Sequence, residues 1–304
     1  MATPMRSTDF RSIVEPILNE EFNGIYDQRA DEWKQVFDEK PGIPRSYHEE
    51  PVLYGFGAAP ELPDGMPVTY QSGGVLFLAR YLYKVYGLAF ALTKVLVEDG
   101  DHIRIGQTYS RHLAQSLIET KETLAANILN RAFNSSYLGG DGVCLVSSAH
   151  PIVGGTFSNV LSTAANLSQT SLEQMLIQIR GAVDNNGKRI RLTPTKLVVG
   201  SSNIFQGEVL LKSALRAGTA NNDINPVKSM NMLSGGQANL ARLTSTTAWW
   251  IKTDAPEGLK MLTRRKLEKS MEGDFETDSM RYKATERYGL GWTDPRAVFG
   301  TAGL

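Results

Sequence analysis

One residue type on which many catalytic and metal-binding proteins depend is nearly missing from this chain. Among 304 residues there is a single cysteine, Cys144, which excludes disulfide frameworks and cysteine-based zinc sites within one chain. Lysine plus arginine equals aspartate plus glutamate, 32 each, so no basic excess points to a sequence-specific DNA-binding protein. The longest apolar stretch, Leu76 to Val97, contains Arg80, Lys84 and Lys94, and it therefore predicts no membrane span.

Motifs for enzymatic chemistry are also absent. The four histidines show no His-x-x-x-His or His-Glu-x-x-His spacing, so we expect no metal site. The sequence has no phosphate-binding glycine loop, no Gly-x-Ser-x-Gly and no dinucleotide fingerprint after a strand, so no cofactor or catalytic residue is predicted. Met1 to Ser12 lacks the apolar segment of a signal peptide, which predicts synthesis in the cytosol.

Cys144 and His150 form the one pair that deserves comparison with a catalytic dyad. A thiol nucleophile needs a nearby base and an electropositive environment. Cys144 lies in the apolar run Val143–Val146, a candidate strand, where a free cysteine is commonly a buried structural residue. The sequence favours the structural interpretation, and a cysteine-dependent enzyme stays as the alternative from a different class.

A long amphipathic helix dominates the middle of the chain. Apolar residues recur at steps of four from Ile105 to Phe133, which predicts one helix with a buried face. Its rise would make a rod of roughly 43 Å, over twice the usual helix length. Turn residues from Asn134 to Gly142 predict a sharp end. Glu119, Glu122 and Glu173 on predicted helices are interpreted as solvated or interface charges.

The segments before this helix predict two arms. Ser7 to Tyr26 has a helical apolar stripe in which Pro16 should kink the helix or mark its start, and the helical pattern continues over 31–37. Residues 47–70 predict a hairpin, with one strand over Val52–Gly57 and a return strand beginning at Val68, followed by a long strand over Tyr81–Thr93. A two-stranded arm is marginal in isolation, so it lies either on a neighbouring subunit or on its own domain.

The remaining chain alternates helices and strands, which makes the predicted class α+β. We predict a helix from Ser171 to about Val183, a strand over Pro194–Gly200 and a helix over Ser202–Ala214. A long polar loop follows over Gly218–Gly236. Short strands are predicted over 240–243, 248–252 and 259–262, a long strand over 279–292 and a final β segment over 297–299. The Trp249–Trp250 pair predicts core and subunit contact, and the cationic face of the long strand predicts ion pairs more than phosphate binding.

The order of these parts resembles that of the major capsid protein of tailed bacteriophages, with the Hong Kong 97 phage-type fold. The likeness is greatest to the major head subunit family of Mu-like phages and prophages. It covers essentially the whole chain, although no single motif decides it. The residue runs that carry it are Tyr54–Gly57, Leu62–Gly65, Tyr86–Phe90 with Thr93-Lys94, Asn127–Phe133, Ser147–Pro151, Pro194–Val199 and Tyr282–Phe299.

The resemblance implies four structural regions. It places an N-terminal arm at 1–45 and an extended β loop at 46–90. A peripheral domain would comprise 91–189 and 259–296 and contain the spine helix 105–133, and an axial domain would comprise 190–258 and 297–304. The loop over Gly218–Gly236 would surround the symmetry axis of hexamers and pentamers. The candidate inter-subunit contacts are Tyr54, Phe56, Glu61, Asp64, Phe22, Trp33, Asn222 and Asp223.

The resemblance also implies partners and location. The subunit would self-assemble into an icosahedral head that encloses double-stranded DNA, contacted without sequence specificity, and the virion would be made in the cytoplasm of a bacterial host. Expected partners are a portal protein, a separate scaffolding protein, because the arm starts close to Met1, and a possible decoration protein, with no cofactor and no membrane. A cellular nanocompartment shell is the alternative within the same fold. Because Pro41 to Tyr83 contains no lysine, we predict a shell without lysine crosslinks from this loop.

Overall fold

The computed structural model describes residues 7–28, 31–93, 96, 102–216, 223–274 and 279–304. Part of the predicted polar loop, including Asn222, lies outside these residues. The architecture mixes helices with two four-stranded sheets and two hairpins, which confirms the α+β class. Buried apolar side chains form one large cluster that includes residues of both four-stranded sheets and a second large cluster that lies against one of them.

The long helix is present as α2, His102–Asn130, with 29 residues. The helix begins and ends three residues earlier than the predicted bounds of 105 and 133. At the carboxyl end the Asn130 side chain donates to the carbonyl oxygen of Arg242 (3.1 Å) and accepts from the amide of Thr244 (2.9 Å). Residues 131–133 form turns, because this side chain ties the helix end to the 242–244 segment.

The N-terminal helix α1, Ser7–Gln28, continues through Pro16, so Pro16 does not mark its start. Its Val14, Leu18 and Phe22 are buried against Leu113 and Leu117 of α2. The crossing is close at Gly106, where an added Cβ would lie 3.1 Å from Leu18 and 3.3 Å from Leu92. The helical arm therefore covers its apolar face with its own chain. After it, the predicted helical extension over 31–37 is a short 3₁₀ turn, Trp33–Gln35.

The first sheet has the strand order β1-β10-β11-β4, with β1 at Asp38–Pro41, β4 at Lys84–Thr93, β10 at Leu259–Asp274 and β11 at Ser279–Trp292. The long strand over 279–292 was predicted with the bounds that the structure shows. Strand β10 is 16 residues long instead of the four residues predicted, because it pairs along β11 with two register irregularities. One face of the sheet packs against α1 and α2.

A hairpin projects from this sheet. Its strands are β2, Tyr47–Tyr54, and β3, Gly74–Leu82, which pair antiparallel. The predicted return strand at Val68 is wrong, since residues 67–73 form no strand. The predicted single strand over 81–93 is divided at Tyr83, whose buried hydroxyl accepts from the amide of Ile43 (3.1 Å). This contact holds the chain where it leaves the hairpin and enters β4.

The second sheet has the order β12-β9-β7-β8, with β7 at Pro194–Val199, β8 at Gln237–Asn239, β9 at Trp249–Thr253 and β12 at Val298–Thr301. Helix α3, Gln169–Arg180, is capped by Ser168 and buries Leu172, Met175 and Ile179 in the core under this sheet. Helix α4 covers Ile204–Lys212 and a short α5 covers Pro226–Ser229. Trp249 and Trp250 are both buried, which confirms their place in the core.

Two predicted strands, over 143–146 and 240–243, are irregular in the structure. Leu145 and Val146 are buried, but their backbone groups form hydrogen bonds with the turn that follows α2 and with the Asn159 side chain. Val146 donates to the carbonyl oxygen of Ala132 (2.8 Å), and Leu145 accepts from Asn159 (2.8 Å). The segment predicted as a loop contains a small hairpin of β5, His150–Ile152, and β6, Gly155–Phe157.

Candidate functional site: the projecting hairpin and its anchors

The tip of the hairpin is the largest continuous exposed stretch among the described residues. Every residue from 55 to 73 is exposed. The segment carries large apolar side chains that are 54–95% exposed, namely Phe56, Leu62, Met66, Val68 and Tyr70. Exposed apolar groups in one contiguous segment indicate an interaction surface, because single scattered ones are ordinary but a continuous patch is not.

The tip is shaped by proline and glycine more than by strand pairing. The amide of Met66 donates to the carbonyl oxygen of Pro63 (3.1 Å), and Gly65 has a φ of 76°. A positive φ strains most residues with a Cβ but not glycine. The amide of Gly57 donates to the Gln71 side chain (2.7 Å) across the tip. The sequence therefore builds an exposed loop with a defined turn at its end.

Two asparagines and a lysine from a turn in the same chain hold the hairpin where the strands end. Asn185 donates to the carbonyl oxygen of Leu53 (2.9 Å), and Asn186 donates to that of Phe56 (3.3 Å). Lys188 also donates to Phe56 (2.6 Å). These bonds fix the start of the tip on its own chain, while residues 55–73 stay exposed.

A charged cluster anchors the root of the hairpin to the first sheet. The Lys260 side chain on β10 is 1% exposed and forms ion pairs with Glu50 of β2 and with Glu257. Glu257 also pairs with Lys40 of β1 (2.7 Å), and Thr293 donates to Glu50 (2.5 Å). A buried cation is tolerated only with such partners. The cluster thus joins β1, β2 and β10 at the point from which the hairpin projects.

These contacts change the acidity of the two carboxylates. Hydrogen bonds from Lys260 and then Lys40 lower the pKa of Glu257 to about 2, against the opposing effect of burial. Burial alone would raise the pKa of Glu50, but hydrogen bonds from Lys260 and Thr293 outweigh it and the pKa lies below its ordinary value. Both carboxylates are therefore charged at neutral pH and compensate Lys260.

A second anchor holds the N-terminal arm on the spine helix. The buried carboxylate of Glu122 accepts from the backbone amides of Glu32 (2.7 Å) and Trp33 (3.0 Å). Arg242 bridges Glu32 (2.8 Å) and Glu119 (2.5 Å) beside it. The interpretation of Glu122 as a solvated charge was wrong, because its carboxylate satisfies two backbone donors at the end of the arm.

A third polar group lies between α1, α2 and the sheet. Lys121 of α2 donates to Glu286 of β11 and to the hydroxyl of Tyr26 of α1, both at 2.7 Å. Tyr86 and Tyr288 stack beside them with ring centroids 4.6 Å apart. Burial raises the pKa of Tyr26, and the Glu286 carboxylate adds to the effect. This group fixes the position of α1 against both α2 and the sheet.

The pair considered as a catalytic dyad is engaged in other contacts. The Nδ1 atom of His150 lies 2.6 Å from Asp141, and its Nε2 atom lies 3.1 Å from the side-chain oxygen of Asn159. Cys144 is buried, and its thiol donates to the carbonyl oxygen of Val146 (3.4 Å). Burial raises the pKa of this thiol, which disfavours the nucleophilic thiolate. Cys144 and His150 therefore form hydrogen bonds with other groups that connect neighbouring segments, and these contacts include no nucleophile–base pair.

The Asn159 side chain, which contacts His150, is at the centre of this hydrogen-bond network. Its side-chain nitrogen, with two hydrogens to donate, lies within hydrogen-bond distance of the carbonyl oxygens of Leu145 (2.8 Å), Pro295 (3.0 Å) and Val298 (2.8 Å). Its oxygen accepts from the amide of Ser147 (2.8 Å). One fully buried side chain thus joins the segment after the spine helix to the C-terminal strand.

The structure places the predicted contact residues in three settings. Phe56, Glu61 and Asp64 are exposed on the hairpin tip, with Tyr54 half-buried at the end of β2. Asp223 is also exposed. Phe22 and Trp33 are 0% and 2% exposed in the core of the same chain, so neither is available to a neighbouring copy in this conformation.

Sequence reasoning missed the charged clusters that hold the arms. The one available signal was Lys260 inside the otherwise apolar run Leu259–Leu262, since a lone lysine in a buried strand requires a carboxylate partner. Nothing in the sequence identified Glu50 or Glu257 as that partner. Among the described residues, no group of three or more histidine, cysteine, aspartate or glutamate side chains is arranged to hold a metal ion. Within the same residues, no helix is sufficiently long and apolar to cross a membrane.

Comparison with known proteins identifies the class of fold. The capsid of Cyanophage P-SCSP1u superposes with a TM-score of 0.59 and 11% identity, over 91% of this chain and 89% of that one. The mature capsid of bacteriophage PhiM1 gives 0.53 and 11% over 90% and 87%. A virus-like particle from Pyrococcus furiosus gives 0.50 and 12% over 94% and 98%. The chain has the Hong Kong 97-like capsid fold.

The family follows from sequence. A model of the family described as phage capsid protein matches residues 82–300, well over half of the chain, and the chain belongs to this family. No curated protein matches it. The protein is thus a structural major capsid protein, and the family places it in the virion capsid, where subunits assemble into a multimeric shell.

Proposed function

We propose that this subunit assembles as hexamers and pentamers into the icosahedral head of a tailed phage that encloses double-stranded DNA. The observation that carries the proposal is the exposed hairpin tip, residues 55–73. A tip with this much exposed apolar surface is stabilised by burial at about 25 cal/mol per Å², and shells of identical copies supply such burial at large interfaces. We infer that the tip lies on an adjacent subunit.

The two four-stranded sheets support a division into the regions that the resemblance implies. Strands β7, β8, β9 and β12 share one sheet, as expected for an axial domain at 190–258 and 297–304. Strands β4, β10 and β11 share the other with α2 beneath it, as expected for the peripheral domain. Two segments do not follow the implied boundaries. Strand β1 (38–41) joins the peripheral sheet, and helix α3 (169–180) packs in the core of the axial sheet. The N-terminal arm in our proposal therefore ends before β1.

Further partners follow from the same proposal. A head of this kind needs a portal protein for DNA entry and a scaffolding protein to set its size, and a decoration protein is compatible with a shell held by non-covalent contacts. We expect contact with DNA to be non-specific. A formal net charge of zero is more consistent with such contact than with sequence-specific DNA binding. Assignment to the Mu-like major head subunits rests on the residue runs that carry the resemblance.

The experiment is assembly of the purified chain, followed by light scattering and negative-stain microscopy. Closed shells, tubes or hexamer rings are expected. The variant Phe56→Ser, which replaces a side chain that is 60% exposed, should reduce assembly at least tenfold while the subunit melts at an unchanged temperature. Leu304→Ser, at a residue that is 83% exposed, is the matched control and should assemble normally. Equal assembly by both variants would show that the hairpin tip is not part of the assembly surface.

A nanocompartment shell is the second candidate, favoured by the likeness to the Pyrococcus furiosus virus-like particle. The two functions differ in what the particle contains. Particles isolated from cells would contain packaged duplex DNA in the first case and a specific protein cargo in the second. Nuclease treatment and mass spectrometry of the contents separate them.

A further inference from the structure

The histidine ring at the start of β5 lies between two oxygen acceptors. His150 is 1% exposed. Its Nδ1 atom lies 2.6 Å from a carboxylate oxygen of Asp141, and its Nε2 atom lies 3.1 Å from the side-chain oxygen of Asn159. A neutral imidazole has one N–H donor and one bare nitrogen, whereas an imidazolium has two donors. The two partners therefore determine which form of the ring fits this site.

The side chain of Asn159 is oriented so that it can offer the ring only an acceptor. Its nitrogen faces the carbonyl oxygens of Leu145, Pro295 and Val298 at 2.8 to 3.0 Å. An amide oxygen in that position would face three acceptors with no hydrogen between them, which is costly in a buried site. The amide oxygen, on its side, accepts from the backbone of Ser147 at 2.8 Å. Oxygen therefore faces Nε2, and this ring nitrogen must carry a hydrogen.

Asp141 requires a hydrogen on the other ring nitrogen. Its side chain is 2% exposed, as is that of His150. One carboxylate oxygen accepts from the amide of Val143 (3.2 Å), and the other faces Nδ1. An ionised carboxylate can only accept, and an imidazole is the stronger base of the two groups. The hydrogen between them thus belongs to Nδ1.

The other titratable groups around the ring do not replace Asp141 as its counter-charge. They are Cys144, Asp294, Arg296 and, in the turn that bonds to Val153, Asp184 and Lys188. Burial raises the pKa of the Cys144 thiol, which keeps it neutral. Arg296 pairs with Asp294 (3.2 Å), and Lys188 lies 3.8 Å from Asp184. Asp141 is the charged group in contact with the ring.

We propose that His150 is held as an imidazolium and acts as a pH-sensitive latch, which joins Asp141 to Asn159 until alkaline pH removes one of its two hydrogens. Loss of either hydrogen would place a bare ring nitrogen against a buried oxygen, and facing acceptors are costly. Through Asn159 the latch connects the segment 141–147, which follows α2, with the C-terminal strand β12. Alkaline pH therefore weakens the link between the end of the spine helix and the axial sheet.

Folding should take up one proton at mildly alkaline pH. In the unfolded chain a histidine ring loses its second hydrogen above about pH 6.5, whereas the folded site retains it. Stability from the latch is thus complete below about pH 6.5 and falls as the pH rises. Between pH 7 and pH 8 the unfolding equilibrium constant should rise about eightfold from this ring alone.

The first experiment observes the ring directly. Dissociated subunits labelled with ¹⁵N are studied by NMR at about pH 7.5, where the spectrum distinguishes bare from protonated ring nitrogens. The His150 ring should carry a hydrogen on both nitrogens, and His150→Gln should remove its signals. If His150→Gln does not fold, glutamine variants of the other three histidines assign the ring by elimination. A bare nitrogen on the His150 ring overturns the proposal.

The second experiment measures urea unfolding of dissociated subunits at pH 7 and pH 8. Glutamine at position 150 keeps a donor but cannot titrate. The unfolding constant should therefore rise about eightfold more in the unaltered chain than in His150→Gln. His112→Gln, at an exposed histidine of α2, is the matched control and should keep the full rise. Equal rises in the unaltered chain and in His150→Gln overturn the latch, and since neither experiment requires shells, the capsid function is tested separately.

Discussion

Replacing Lys260 by methionine should detach the hairpin root and destabilise the subunit. Lys260 is 1% exposed, and the Glu50 side chain with which it pairs is 17% exposed. Breaking a buried ion pair by removing one partner costs about 3–5 kcal/mol, because the remaining charge stays buried. Thr293 still donates to Glu50 at 2.5 Å, so we place the loss of unfolding free energy at the lower end, about 3 kcal/mol.

The other carboxylate contributes little to that loss. Glu257 is 48% exposed and keeps Lys40 at 2.7 Å after the substitution. Lys40 is itself 40% exposed, and an exposed pair contributes at most about 1 kcal/mol. Lys40→Met is therefore the matched control, with the same change of side chain at the same cluster but on its solvent side. We expect it to cost less than about 1 kcal/mol.

The assay is urea unfolding of dissociated subunits, combined with limited proteolysis across residues 46–82. Lys260→Met should lower the unfolding free energy by about 3 kcal/mol and speed cleavage near the hairpin root. Adding Glu50→Gln to Lys260→Met should restore more than half of the loss, because the uncompensated charge is removed. Equal costs for Lys260→Met and Lys40→Met, or no recovery with Glu50→Gln, would refute this account of the root.

Three further predictions follow from the anchors and the sequence. Because the pKa of Glu257 lies at about 2 in the folded chain against an ordinary 4.5, its stabilisation is complete above pH 4.5 and is lost as the pH falls toward 2. At about 1.4 kcal/mol per pKa unit this is about 3.5 kcal/mol, and solvent screening of the half-exposed side chain reduces it to about 1 kcal/mol. Urea unfolding at pH 6 and pH 3 measures it, and Glu257→Gln should flatten the difference. Glu122→Ala leaves two backbone amides without an acceptor, so hydrogen exchange at Trp33 should rise at least tenfold and stability should fall by about 2–3 kcal/mol. Since no lysine occurs between Lys40 and Lys84, boiled shells should run as single subunits on a denaturing gel.

Each of these three has a result that contradicts it. A stability difference between pH 6 and pH 3 that is unchanged in Glu257→Gln would assign the pH dependence to other carboxylates. Slow exchange at Trp33 in Glu122→Ala would show that apolar packing alone holds the N-terminal arm. Gln115→Ala, which removes an exposed polar side chain from the same helix, is its control. A ladder of covalent multimers would refute a shell without crosslinks.

The periodic patterns predicted the elements whose partners lie along their whole length. The spine helix was found within three residues of its bounds, and β11 was predicted as observed, because each has a regular apolar face that its neighbours cover. The irregular segments failed for the opposite reason. The run Val143–Val146 is apolar like a strand, but its backbone is satisfied by Ala132 and Asn159, contacts that no local pattern encodes.

The exposed tip illustrates the same distinction at the candidate site. Its composition, with proline, glycine and two carboxylates, showed a loop that its own chain has little reason to bury. Only the tertiary structure decided that residues 67–73 form no strand and are all exposed. Strand propensity is realised only where a partner strand lies alongside, and among the described residues no strand pairs with 67–73.

By itself the sequence determined the class of the fold, the length of the spine helix, the absence of catalytic and metal-binding motifs, and the resemblance to phage capsid subunits. These depend on periodicity and composition, which are local properties of the chain. The tertiary structure decided how the arms are held, because Lys260, Glu122 and Asn159 find partners that are 89 to 210 residues distant along the chain. Whether a buried charge or amide is a defect or an anchor depends on those distant partners, and only the folded chain brings them together.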